Sequence, residues 1–254
     1  MSDKFIAQRL AAGELNEYGQ LHGLALPDWQ ACPLPQPVVL SGRYCRLEPL
    51  SAARHAQGLY AAMQQEGAAA NWTYLGYGPF ASLADYSAWL RSMEGLADPQ
   101  FYTIIDAATE QPVGLASYLR IDAANGAIEV GHLNYSPLLQ QKPAATEAMY
   151  LMMRHAFELG YRRYEWKCNA LNVPSRRAAE RLGFLFEGLF RQSMIIKGRN
   201  RDTAWYSILD GEWPAVWQRL EQWLAAENFD AAGRQRQALS ALMAGWRGGQ
   251  AASV

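Results

Sequence analysis

Residues 127–160 read AIEVGHLNYSPLLQQKPAATEAMYLMMRHAFELG, and three successive patterns lie within them. AIEVGHLNY (127–135) has the composition of a strand and follows Asn125-Gly126, a pair suited to the positive-φ turn of a tight hairpin. Two further strand-like segments precede it, FYTIID (101–106) and VGLASYLRID (113–122), so the three read as an antiparallel meander. Ala144–Leu159 carries apolar residues at helical spacing (Ala148, Leu151, Met152, Ala156, with His155 on the same face), and Gly160 stands where a helix ends. The polar turn between strand and helix, SPLLQQKPAATEA (136–148), opens onto a helix N-terminus. Such a terminus presents unpaired N–H groups and the positive end of the helix dipole, which suits a phosphate.

Upstream, LPDWQACPLPQP (26–37) contains four prolines and reads as an extended strap or linker, preceded by a short helix around Lys4–Leu15. GRYCRLEPL (42–50) alternates like a strand, Ala52–Gln65 reads as a helix with Ser51 as its cap, and Ser82–Met93 as a second. Downstream come a strand (YRRYEWKCN, 161–169), a helix (Ser175–Leu182, stopped by Gly183), two strands bracketing the turn KGRNR (197–201), and a closing helix, Trp213–Ala226. The last residues, RGGQAASV, read as frayed. Strands and helices interleaved in this way give a mixed α/β domain.

Composition narrows the function. Half of the 254 residues are hydrophobic, 19% are charged, and the formal net charge is −1. That balance gives no global electrostatic footprint for nucleic acid or an anionic membrane. No apolar run approaches the roughly 20 residues that cross a bilayer, and the first residues lack the continuous apolar core of a secretory signal. Three unclustered cysteines (Cys32, Cys45, Cys168) and four scattered histidines form neither a disulfide framework nor a metal site. A reduced, cytoplasmic compartment without a bound metal is the expectation.

The turn before the long helix resembles the pyrophosphate-binding loop of the GNAT acetyltransferases, Gln/Arg-x-x-Gly-x-Gly/Ala. Gln140 leads it, Pro143 stands where the glycine belongs, and Ala145 is the closing small residue. Ala145–Ala148 (Ala-Thr-Glu-Ala) resembles the helix start of the ribosomal-protein alanine N-acetyltransferase branch. Asn172-Val-Pro-Ser175, followed by a helix closing on Gly183-Phe184, is similar to the family's Asn-x-x-Ser/Ala element. EGLFRQSMIIKGRNRDTAWYSIL (187–209) is similar to that branch's terminal hairpin, and the matches together span roughly Arg43 to Asp210.

The resemblance implies an α/β fold built on a mixed, mostly antiparallel sheet, splayed near its middle and flanked by helices. It divides the chain into an N-terminal extension and strap (1–42), a GNAT-like domain (43–212) and a C-terminal helical extension (213–254). It implies an N-acetyltransferase that passes an acetyl group from acetyl-CoA to a primary amine by direct attack, as a monomer or homodimer. The amine would belong to a protein N-terminus, an amino acid or another small molecule; the charge balance and the lack of a long apolar run, not the resemblance, give the expectation of no nucleic-acid or membrane partner. A non-catalytic acyl-CoA-binding or regulatory module on the same fold is the alternative.

Roles follow from the same resemblance. Glu129 matches the general base, since a protonated amine cannot attack a thioester. His132, three residues on, falls on the opposite face of a regular strand. Leu133, Tyr135, Gln140, Gln141, Lys142, Ala144, Ala145, Thr146 and Asn172 fall at positions that contact acetyl-CoA. Proline has no N–H, so phosphate binding rests on Lys142 and the remaining amides. The family's acidic tyrosine is replaced by Ala179, leaving Ser175 either to serve the leaving thiolate or simply to cap its helix. Trp72, Tyr74 and Tyr77, with Phe80, either wall the acceptor cleft or form a satellite core. Cys168 reads as a packed thiol, and KGRNR as either a solvated hairpin tip or a basic turn that steers an acidic partner.

Overall fold

The computed structural model describes residues 13–251, with side chains to residue 246. Strands β1 (Gly13–Leu15) and β2 (Leu21–Gly23) pair as an isolated antiparallel hairpin. The helix expected around Lys4–Leu15 lies outside the described residues except for its last three, and those are strand. Turn chemistry explains this: Asn16 Oδ1 accepts the N–H groups of Tyr18 and Gln20, and Gly19 supplies φ +72°. Residues 24–39 carry neither helix nor strand. Their carbonyls are pinned to the body by Tyr161 Oη on Pro33, Gln100 Nε2 on Pro35 and Tyr102 Oη on Gln36.

The remaining strands form one eight-stranded sheet in the order β3-β4-β5-β6-β7-β8-β10-β9. They are β3 (Leu40–Ser41), β4 (Cys45–Pro49), β5 (Gln100–Asp106), β6 (Pro112–Asp122), β7 (Ala127–Tyr135), β8 (Arg163–Asn169), β9 (Leu185–Ile196) and β10 (Arg199–Leu209). Every neighbouring pair is antiparallel except β7 and β8. Arg199–Arg201, read from sequence as part of a turn, belong to β10, and only Lys197-Gly198 make the tip.

Among the described residues, six helices flank the sheet. Two of them, α1 (Ala52–Ala62) and α2 (Leu83–Met93), cover one face with a cluster containing Leu59, Tyr86, Leu90, Phe101 and Leu115. The Ser82 hydroxyl accepts the Asp85 N–H and fixes where α2 begins. On the other face lies α3 (Pro143–Glu158), against Tyr102, Ile104, Ala116, Tyr118 and Ile128. Phe101 and Tyr102, and likewise Leu115 and Ala116, are chain neighbours on opposite sides of the sheet, as strand alternation requires. The remaining helices are α4 (Val173–Arg181), α5 (Trp213–Leu224) and α6 (Leu239–Ala251). Val216, Leu220, Leu239 and Met243 of α5 and α6 share the core beneath α3, so the C-terminal helices pack into the same body. The backbone of Arg247–Ala251, expected to fray, continues α6.

Glu147 ties α3 to the first long strand. Its buried carboxylate accepts the N–H groups of Arg43, Tyr44 and Cys45 at 2.8, 2.5 and 2.8 Å. A Cβ at Gly42 would fall on that carboxylate, which explains glycine there.

Candidate active site in the splay between β7 and β8

The parallel ladder joining β7 to β8 holds for four residue pairs, Ala127–Arg163 to Val130–Trp166, and then stops. Beyond it β7 continues to Tyr135 and β8 to Asn169, so the sheet opens. The cause lies on the other edge of β7. Between Leu115–Asn134 and Ser117–Gly131, β7 spends two residues against one on β6, a bulge with His132 at φ +52°. Bulges sharpen twist and end pairing. The cleft that results encloses about 240 Å³, twice the 120 Å³ of a small cavity beside Trp72.

The bulge also changes which face His132 occupies. A regular strand puts it opposite Glu129; instead its ring packs on Tyr77 (5.6 Å) and Phe101 (5.0 Å), on the α1–α2 side. Ile128 and Val130 belong to the core beneath α3, so Glu129 between them also faces the α1–α2 side. Both residues therefore line one cleft. Burial and two nearby guanidinium groups, Arg120 and Arg201, bring His132 down to about 4, leaving it neutral near pH 7.

Glu129 is 3% exposed and sits in a chain of alternating charge. Arg120 Nη1 donates to both of its oxygens at 2.8 Å, and Lys167 Nζ lies 3.0 Å from Oε2. Lys167 is also 2.6 Å from Glu165, Glu165 is 2.6 Å from Arg163, and Arg163 reaches Glu187 at 2.5 Å. The register accounts for this order. Glu129 and Glu165 are direct partners across β7 and β8, an unfavourable like-charge pair, and Lys167 two residues along the same face bridges them. Lys167 stands 3.8 Å from the Trp205 ring centroid, so its ammonium is held on three sides. Burial lifts the Glu129 carboxyl above its ordinary value, while Lys167 and Arg120 pull it back. Arg120 is positioned by a second bulge, with φ +47°, clamped by Asp98, whose carboxylate accepts the N–H groups of Arg120 and Ile121.

The roof divides the expected aromatic group. Trp72 is buried in the α1–α2 cluster, touching Tyr77, Phe80 and Tyr86, and does not line the cleft. Tyr74 and Tyr77 do line it, and Tyr74 Oη donates to the Leu171 carbonyl across the opening at 3.2 Å. Lys197, expected at a solvated tip, donates to the Trp72 carbonyl at 2.7 Å and fastens the β9–β10 hairpin to the roof.

Lys142 occupies the N-cap of α3 with extended backbone, Pro143 the first turn, and no side chain caps the helix. Pro143 has no N–H and the Ala145 N–H turns back to the Lys142 carbonyl at 3.1 Å, which leaves the Ala144 N–H pointing out of the helix start. The Gln140 amide donates to Asn71 Oδ1 (3.0 Å) and to the Tyr135 carbonyl (2.8 Å), holding the loop, and Asn71 Nδ2 donates to the same carbonyl. Gln141 adopts φ +60° in the turn. Thr146 is turned inward, its hydroxyl accepting from Arg181 at 2.9 Å. Ala145 packs against the core, and Leu133 lines the cleft. Asn172 caps α4 by accepting the Ser175 N–H, and Ser175 Oγ accepts Trp166 Nε1 at 3.1 Å. Ser175 also reaches Cys168, whose thiol burial pushes up.

Sequence reading missed Asn71, Arg120 and Lys167, which line the cleft, and placed Arg201, which lines it too, in a hairpin tip. Arg163, Glu165 and Lys167 did leave a signal: three charges at alternate positions of a strand whose intervening residues are Tyr164 and Trp166. Among the described residues, no group of three His, Cys, Asp or Glu side chains could hold a metal ion, and no helix is long and apolar enough to cross a membrane.

Residues 45–185 match the acetyltransferase (GNAT) domain family. A crystallised GCN5-related N-acetyltransferase from Brucella melitensis superposes with a TM-score of 0.85 at 49% identity, covering 86% of this chain and all of that one. An uncharacterised N-acetyltransferase, p20, of Bacillus licheniformis is 32% identical over 48% of this chain and 67% of its own length. A ribosomal N-acetyltransferase assignment is carried by YdaF of Bacillus subtilis, 32% identical over 39% of this chain and 55% of its own length. Parallel pairing that breaks at Val130–Trp166 and these likenesses agree: the chain belongs to the GNAT acetyltransferase family.

Proposed function

We propose that this protein transfers the acetyl group of acetyl-CoA to a primary amine held beneath Tyr74 and Tyr77, with Glu129 taking the amine's proton. The observation that carries the reading is Glu129 itself, a buried carboxylate on the wall of the opened sheet, on the strand that leads through residues 136–142 into the start of α3. The cofactor fits this frame. An edge opened inside a sheet presents N–H and C=O groups with no strand to satisfy them, which matches an amide-bearing arm. The first turn of α3 matches a pyrophosphate, with Lys142 exposed beside it.

The chemistry is direct displacement. Glu129 accepts a proton from the ammonium, the freed nitrogen bonds to the thioester carbonyl, and the carbon–sulfur bond breaks as the amide forms, the nitrogen's second proton passing to the departing thiolate to give free CoA thiol. Ser175 Oγ lines the cleft and accepts from Trp166 Nε1, while its O–H lies within reach of Cys168 and has to turn from that thiol to serve the departing sulfur. Backbone amides around the β7 bulge and the Tyr74 roof hold the reactants and keep out water.

The test is thiol release from acetyl-CoA with a panel of amines, run beside a thermal melt with CoA. Ligand bound only to the native state at a hundredfold excess over Kd raises stability by about 2.7 kcal/mol. Thiol release that depends on an added amine supports transfer. A melt shifted by CoA without amine-dependent release supports the non-catalytic acyl-CoA-binding alternative, and a melt that does not move overturns both.

A further inference from the structure

Charge in the cleft does not balance. The chain Glu187–Arg163–Glu165–Lys167–Glu129–Arg120 contains as many acids as bases, each paired with a neighbour in it. Arg201 stands outside it. It lines the same cleft, near enough to Glu129, Arg120 and His132 to act on each electrostatically, yet no acid pairs with it among the described residues. Its Nε is buried without a hydrogen-bond partner. Arg120 leaves capacity too, since a single nitrogen, Nη1, serves both oxygens of Glu129.

Register explains how Arg201 comes to face the site. Ser207, Trp205 and Thr203 of β10 pair with Glu165, Lys167 and Asn169 of β8, so Arg201 continues the face that carries Lys167. The same cleft is lined by Tyr74, Tyr77, Met194 and Ile196, from the roof and the β9–β10 hairpin, and by Cys168, which lies near enough to Arg201 to act on it. Residues 140–146, where the pyrophosphate reading places the donor, do not line this cleft. An anion at Arg201 is therefore separate from the donor's phosphates. A half-buried guanidinium without a counter-ion costs stability unless a ligand supplies one.

Resting on the acetyltransferase reading, we propose that Arg201 seats a carboxylate carried by the acceptor, so that the substrate class is a small amino acid-like amine rather than a neutral amine or a peptide N-terminus. The guanidinium takes the carboxylate through its planar fork. Glu129, on the adjoining strand pair, takes the ammonium proton. One cleft thus offers an anion to the amine and a cation to the acid, the charge pattern of an amino acid.

Two measurements test this. The first compares thiol release for free L-amino acids, their C-terminal amides and a tripeptide with an N-terminal alanine, in the wild type, Arg201→Gln and Arg201→Lys. A charge-assisted contact predicts that kcat/KM for the acid exceeds that for the amide by roughly ten- to a hundredfold. Arg201→Gln should collapse that ratio, chiefly through KM, and Arg201→Lys should restore part of it. The second needs no turnover: N-acetyl-amino acids and their amides are titrated in thermal melts with CoA present and absent. The acid should shift the wild type and not Arg201→Gln. An acid-specific shift without any thiol release sinks the acetyltransferase reading and leaves the anion site standing. Equal use of acid, amide and tripeptide, or an acid preference that survives in Arg201→Gln, overturns the proposal.

Discussion

Replacing Glu129 by glutamine keeps the shape of the side chain and removes its capacity to accept a proton. A general base is worth about 10²–10⁴-fold in turnover, so kcat should fall by that factor, equal to about 2.7–5.4 kcal/mol in the barrier. The structure sets a competing cost, because the substitution also breaks an ion chain. Removing one partner of a fully buried pair costs about 3–5 kcal/mol. Here the Arg120 side chain is 51% exposed and turns to water, while Lys167 keeps Glu165 at 2.6 Å. The stability loss should therefore be smaller, about 1–3 kcal/mol, and a domain of ordinary stability stays folded. A thermal melt and a CoA titration on the variant separate the two effects: folding and CoA binding persist while turnover collapses.

The pH profile supplies the second reading of the same variant. Glu129 works only when ionised, and burial lifts its carboxyl above the ordinary carboxylate value. Activity should thus decline as pH falls through that raised value, and the acid limb should vanish in Glu129→Gln. His132 offers a built-in control, since its ring titrates at about 4, below Glu129. A limb at that lower pH, unchanged in Glu129→Gln, would assign the base to His132. If Glu129→Gln keeps more than about a third of wild-type kcat with a confirmed acceptor, the carboxylate is only a link between Arg120 and Lys167, and the reasoning fails.

Other expectations follow from single contacts. Lys142→Ala should weaken CoA binding, more at low salt than at high, as an isothermal titration at two ionic strengths would show; equal affinities place its side chain elsewhere. Pro143→Gly restores a backbone donor at the first turn of α3 and should tighten CoA binding unless added chain freedom cancels the gain. Glu147→Ala strands three N–H groups of residues 43–45 and should cost about 3–5 kcal/mol in denaturant unfolding, with little change in KM for either substrate. Asp98→Ala frees the bulge that aims Arg120; it should move the acid limb of the rate profile, whereas a merely structural Asp98 would lower the melting temperature and leave the limb in place.

Local chemistry made most of the fold readable. Ala127–Tyr135 was bounded to the residue because Asn125-Gly126 opens it and Ser136-Pro137 ends it, and α3 was misjudged by one residue at each end. Errors fell where a long-range partner or a turn competes with periodicity. Gly13–Leu15 sits at the end of an apolar helical pattern, yet Asn16 and Gly19 turn the chain and give it Leu21–Gly23 to pair with. Arg199–Arg201 look like turn residues by composition, and only their pairing with Ile196, Ile195 and Met194 makes them strand. The α1 helix stopped at Ala62, three residues before the expected Gln65.

The site divides along the same line. Residues whose role depends on their own backbone, such as the α3 start and the Asn172 cap, can be placed by motif. Those whose role depends on register cannot, because a β-strand says which residues share a face but not which strand lies beside it. Glu129 meets Glu165 only because β7 and β8 run parallel with Ala127 opposite Arg163. One residue of slip would put Glu129 opposite Tyr164 or Trp166, and Lys167 would turn to the other face. Arg201 joins the cleft only because β10 inserts between β8 and the edge strand β9. Parity at His132 is likewise a property of the bulge, two residues of β7 against one of β6. The same irregularity that ends the β7–β8 ladder and opens room for a ligand thus puts His132 on the wall beside Glu129, so cleft and chemistry share one structural cause.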